Sequence, residues 1–218
     1  MGISAGLGTA GLQPAVCTST TRPASPYEGQ MIYETDTDLT YLYSGSAWTQ
    51  ISGSTAKGNS GLVYITEQTV GTGVSSVTLS NVFSATYDNY RVVYSGGTGS
   101  GEVGLGMRVG GVTTNYSHML FWATFAAGTA NTDRANDTGS AALYLGSCGA
   151  NGNHLAVDVL SPFQTKYTGF MAGSYIAADF GICVARHNIA ASYTSVSILP
   201  VSGTISGGIV RVYGYRQA

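Results

Sequence analysis

The chain has 218 residues, with 9 Lys and Arg against 11 Asp and Glu for a net charge of −2. Charged residues make up 9% of it, against about 25% in ordinary globular domains. That balance, without clustered Arg and Lys, excludes the electrostatic footprint of a nucleic-acid binder or of a protein that binds anionic lipid. So little charge also leaves weak protection against association, which fits a surface covered by neighbours in an assembly.

Met1 to Thr20 is a Gly, Ala, Ser and Thr arm without periodicity, expected to be extended. Its apolar residues are interrupted by Gly2, Gly6, Gly8 and Gly11 and no basic leader precedes them, so neither a secretory signal nor a membrane span is read. From Thr21 to Ile51 the order of turns and strands is explicit. Pro23 and Pro26 forbid a helix, Met31 to Thr35 is extended, Asp36-Thr37-Asp38 turns, Leu39 to Tyr43 returns, and Ser44-Gly45-Ser46 leads into Trp48 to Ile51. This predicts a small β-meander. Tyr41 and Tyr43 fall on one face, and two or three short strands cannot bury such rings unaided. Ile32, Tyr33, Tyr41, Tyr43 and Trp48 are therefore the candidate attachment and interface residues, with a sugar-binding surface at Tyr41 and Tyr43 as the alternative.

Ser52 to Gly61 reads as a flexible linker. Beyond it, strand-like runs recur about every ten residues: Leu62 to Thr66, Val74 to Leu79, Tyr90 to Tyr94, Val103 to Val109, His118 to Phe125, Ala142 to Leu145, Leu155 to Leu160, Tyr167 to Met171, Gly181 to Arg186, Ser195 to Pro200 and Ile209 to Tyr215. No window carries a sustained helical stripe; Ser84 to Asn89 has room for one helical turn at most. The class is all-β: an N-terminal meander followed, over 62–218, by a β-sandwich of jelly-roll type. Gly128 to Ser140 is read as a long polar loop suited to variable contacts.

Chemistry-bearing motifs are sparse. Two Gly-x-Gly-x-x-Gly matches, at Gly6 and at Gly99, lack the following helix that a dinucleotide needs. His118, His154 and His187 stand apart, and Cys17, Cys148 and Cys183 have no zinc spacing. The three cysteines are read as small apolar fillers of a reduced compartment, with a Cys148–Cys183 bridge left open. Asp36-Thr37-Asp38 lacks the further ligands of a calcium loop. Acid pairs such as Asp133 with Asp137, or Glu102 with Asp158, do not stand out as a glycosidase couple. No catalytic, metal or cofactor residue is therefore assigned, and no enzyme is expected.

The segment Arg22 to Trp48 resembles one that recurs in bacteriophage virion proteins, especially tail-fibre and related appendage proteins. Arg22-Pro23, Glu28-Gly29, Ile32-Tyr33, Thr35-Asp36-Thr37, Tyr43, Gly45 and Trp48 carry the likeness. VFSATYDNYRVVY from Val82, and GGIVRVYGYR near the end, resemble the C-terminal β-domains of phage structural proteins more weakly. The resemblance implies a virion structural component made in the host cytoplasm. In that reading the meander attaches to other virion proteins, the β-domain faces outward toward a host-surface glycan, and the assembly is a homotrimer. A capsid decoration or head-fibre protein is the alternative, and a carbohydrate-active appendage enzyme the third reading.

Overall fold

The structure is a computed structural model that describes residues 14–52, 61–126, 128–176 and 179–216, with the backbone alone for 174–176. The chain divides into two compact units, Met1–Ser60 and Gly61–Ala218. The arm up to residue 13 and residues 53–60 of the expected linker lie outside the described residues. Among those described, the protein is all-β and contains no helix.

The first unit is a four-stranded sheet: β1 (Ala15–Cys17), β2 (Met31–Glu34), β3 (Leu39–Tyr43) and β4 (Trp48–Gln50), in that order. The meander β2–β3–β4 is antiparallel, as its alternation and turns dictate. β1, in the arm expected to be extended or mobile unless another chain orders it, is ordered by this chain itself, since it pairs in parallel with β2. The Asp36 carboxylate holds that added strand by accepting from both the backbone N–H and the hydroxyl of Ser19. These bonds also lower the Asp36 pKa. Three residues are too few to show a pattern in the sequence.

The second unit continues with β5 (Leu62–Thr69), β6 (Val77–Leu79), β7 (Asn89–Ser95), β8 (Thr98–Gly99), β9 (Val103–Val109), β10 (Tyr116–Thr124), β11 (Ala130–Gly139), β12 (Ala142–Gly149) and β13 (Gly152–Leu160). It ends with β14 (Lys166–Ile176), β15 (Asp179–Ala191), β16 (Val196–Pro200), β17 (Ile205–Ser206) and β18 (Ile209–Tyr215). Twelve of these strands form one curled antiparallel sheet, and β13 is where it splits. One edge of β13 pairs with β7; the other pairs with β12 near its start and with β14 near its end. One branch therefore runs β5–β18–β7–β13–β14–β15–β10–β11, and the other runs β12–β9–β16–β6. The two layers close on a shared core as a β-sandwich.

Alternation builds that core. Val92 and Tyr94 of β7, Val210 and Val212 of β18, and Val157 and Phe170 of β13 and β14 face Leu105, Met107 and Ile198 of the shorter layer. Residues on the opposite parity of β7 and β18, such as Arg91 and Arg211, make surface ion pairs with Asp158 and Glu67. The buried Tyr90 hydroxyl donates to the Ser84 carbonyl and accepts from its N–H. Between Ser84 and β7 the chain turns at Ala85-Thr86 and makes no helical turn.

One further expectation is corrected. Gly128 to Ser140 is mostly strand β11, paired along β10 at the sheet's edge. It looked like a loop because an edge strand here is wet on both faces and carries no apolar alternation. The cysteines are as read, unbridged: all three are free, with Cys148 and Cys183 buried, and the bridge left open between those two is not formed. The Gly99 match lies where β8 leads into β9, with no helix after it. Its glycine is required by packing, since a Cβ there would sit 2.8 Å from the Cys148 sulfur.

Candidate functional site

In the first unit the register places Ile32, Tyr41, Tyr43 and Trp48 on one face of the sheet and Tyr33 on the other. Ile32 opposes Tyr41 across the ladder and has no exposed surface, so it supports the sheet from inside and is closed to any partner. Tyr33, Tyr41, Tyr43 and Trp48 are half-buried. Tyr43 and Trp48 are cross-strand partners with ring centroids 5.3 Å apart. The Tyr33 hydroxyl donates to Asp38 at 2.7 Å, which raises the phenol's pKa. Asp38 takes a left-handed conformation, φ 55°, to make that turn.

Sequence reasoning missed the ion pair at the centre of the Ile32 and Tyr41 face. Glu34 has no exposed surface, yet it is ionisable. The Arg22 guanidinium pairs with its Oε1, and Thr37 donates to its Oε2 at 2.9 Å. Arg22 also lies 4.4 Å over the Tyr41 ring. The hydrogen bond to Glu34 raises the Arg22 pKa. A buried charge is tolerable only when paired in this way. Gly29 and Gly45 adopt φ of 85° and 91°, conformations that favour glycine. Arg22, Gly29, Ile32, Asp36, Thr37, Tyr43, Gly45 and Trp48 thus all serve this one sheet.

In the second unit a cavity of about 350 Å³ opens between the layers, lined by Leu120, Trp122, Thr132, Asp133, Tyr144, Asp179, Phe180 and Gly181. Trp122 projects from β10 toward the shorter layer. Its cross-strand partner is Gly181, where a Cβ would meet the Phe121 carbonyl oxygen at 2.2 Å and the Trp122 Cβ at 2.8 Å. Tyr144 reaches the cavity from an irregular stretch of β12 and has φ 60°. The Thr124 hydroxyl donates to Asp179 at 2.9 Å.

Behind Asp133 stands His118, whose side chain is 4% exposed and whose Nε2 lies 4.0 Å from the Asp133 carboxylate. Neither ring nitrogen has a hydrogen-bond partner. Burial lowers the His118 pKa more than Asp133 raises it, so the imidazole is neutral. Burial, with Asp133 second, raises the Tyr144 phenol. An indole face, a phenol and two carboxylates around an open space can take a polyhydroxylated ring, with apolar C–H against the indole and hydroxyls donating to the carboxylates.

The acid pairs considered from sequence are separated in setting. Asp133 lines the cavity, whereas Asp137 accepts from Asn188 and its N–H donates to Ser117. Asp158 is occupied by Arg91 and Tyr215. His187 is buried against the Tyr193 hydroxyl. Among the described residues, no three His, Cys, Asp or Glu side chains gather as a metal site, and no helix is long and apolar enough to cross a membrane. No protein-family model matches the chain, and a search of curated proteins finds no match either.

Proposed function

We propose that the chain is a structural component of a bacteriophage virion, a short tail fibre or appendage protein. The observation that carries this reading is the coincidence of the resembling segment with one interlocked sheet. Arg22, Thr37, Gly29, Gly45, Tyr43 and Trp48 each perform a structural task in it. A pattern that encodes a folded unit is what an exchangeable attachment module requires. In this reading the first unit attaches to other virion proteins, and its half-buried rings pack around a three-fold axis. The sandwich faces outward, and the Trp122–Asp133–Tyr144 cavity takes a neutral host-surface glycan. The protein acts mechanically and catalyses nothing. Low charge and extensive backbone pairing suit a component that spends its life assembled.

Two variants tested on particles separate these roles. Trp48→Ala removes a large ring from the sheet, a change that commonly costs about 3–5 kcal/mol in a core or more than 2 kcal/mol at an interface. It should abolish incorporation while the sandwich stays folded. Trp122→Ala should leave incorporation intact and cut adsorption to host cells. Loss of adsorption with full incorporation in Trp48→Ala would instead place the first unit on the host side and overturn the assignment.

A further inference from the structure

The outer face of the long layer is apolar over three neighbouring strands. Parity turns Met119 and Phe121 of β10, Phe180, Ile182 and Val184 of β15 and Met171 of β14 away from the core, and all six are between 41% and 59% exposed. The register sets Met119, Val184 and Met171 in one row, Phe121, Ile182 and Gly173 in the next, and Ala123 beside Phe180 in a third. Gly173 contributes no side chain, so the face dips there. Charge begins at the borders: Arg134 sits opposite Met119 on β11, Arg186 lies over Tyr167, and the Arg91–Asp158 pair occupies β7 and β13.

The sequence of β10 points the same way. Strands with one wet face alternate, as β7 does in Asn89-Tyr90-Arg91-Val92. Strands covered on both faces read as nearly continuous apolar runs. Met119-Leu120-Phe121-Trp122-Ala123 is such a run, yet within the second unit only one of its faces is covered.

We propose that this face is a contact between copies of this chain. Whole aromatic side chains present about 150–250 Å². On that scale the exposed fractions of the six side chains amount to roughly 500 Å² of apolar surface, at the upper end of what monomers leave uncovered. A standard interface covers about 800 Å² per partner, and its core is about two-thirds apolar. The patch therefore has the size of one side of such a core. A second copy fits better than a charged partner because, among the described side chains, the centre of the face bears no Asp, Glu, Lys, Arg or His. Apolar sheet on apolar sheet needs no complementary charge and brings no like charges together, and sheets stack at about 10 Å in this manner. The inference stands whether or not the protein belongs to a virion, and it concerns a different surface from the rings of the first unit.

The test uses the full chain and the double variant Phe121→Asp/Ile182→Asp, in which both substituted side chains point outward and the core is untouched. Sedimentation equilibrium reads the association constant, hydroxyl-radical labelling reads the accessibility of Met119 and Met171, and circular dichroism checks the fold. Expected results are a dissociation constant raised at least 100-fold in the variant, and at least tenfold less labelling of both methionines in the assembled wild type than in the variant. Three results would each overturn the proposal: full labelling of Met119 and Met171 in assembled wild type, an unchanged constant in a folded variant, or a wild-type chain that stays monomeric at high micromolar concentration. If the variant does not fold, Met119→Lys supplies the same comparison at the edge of the patch.

Discussion

Removing the guanidinium from the first unit tests whether Glu34 is the centre of that sheet. Arg22→Met keeps the length and apolar stem of the side chain but leaves the Glu34 carboxylate, which has no exposed surface, with the Thr37 hydroxyl as its remaining side-chain donor. Stranding one partner of a buried pair costs about 3–5 kcal/mol. Arg22 is itself 32% exposed, and solvent screening reduces that figure to about 2–3 kcal/mol. Loss of the contact over Tyr41, 4.4 Å away, adds about 0.5–1 kcal/mol. Urea unfolding followed by Trp48 fluorescence, in a Trp122→Phe background that leaves one indole, reports on this unit alone. The double variant Arg22→Met/Glu34→Leu should recover most of the loss, because replacing both partners by apolar groups is often near neutral. A cost below 0.5 kcal/mol for Arg22→Met, or no recovery in the double variant, would refute the assignment of Glu34 as a paired buried charge.

Two further outcomes concern the sandwich. Burial lowers the pKa of His118 and of His187, so on acidification the unfolded chain takes up protons first. Stability is full above the unfolded value near 6.5 and falls as pH drops below it, by at most about 1.4 kcal/mol per pH unit for each histidine. His118→Leu, which removes two unpartnered nitrogens, should flatten the decline of the urea midpoint between pH 7 and pH 5; equal slopes would refute the buried neutral imidazole. Burial also pushes the Cys183 thiol up to about 12 and raises that of Cys148. Thiol labelling of the native protein at pH 8 should therefore modify Cys17 first, with Cys183 reacting only on unfolding, as read by mass spectrometry of the labelled peptides.

The architecture was legible wherever one face of a strand is wet and the other buried. β7 and β18 alternate without interruption, and β2, β3 and β4 are delimited by Pro, Asp and Gly. Legibility failed where that contrast is missing: on β11, polar on both faces, and on β1, which is three residues long. It failed at Glu34 for another reason. A carboxylate in an inward position reads as the end of a strand until Arg22, twelve residues earlier, is known to close over it. The cavity was out of reach because pairing creates it. Trp122 is shaped by Gly181 across the ladder, and Asp133 faces the cavity because β11 is a strand and not a loop. No local pattern links residues some sixty positions apart. Such sites become readable only when register is known, since a shift of one residue along β10 would send His118, Leu120 and Trp122 to the outer face and bring Met119 and Phe121 into the core. Bulk alone does not decide between those registers, because both faces of β10 are apolar. The inner one is fixed by His118 against Tyr144, with ring centroids 5.4 Å apart, and by the room that Gly181 leaves for the indole.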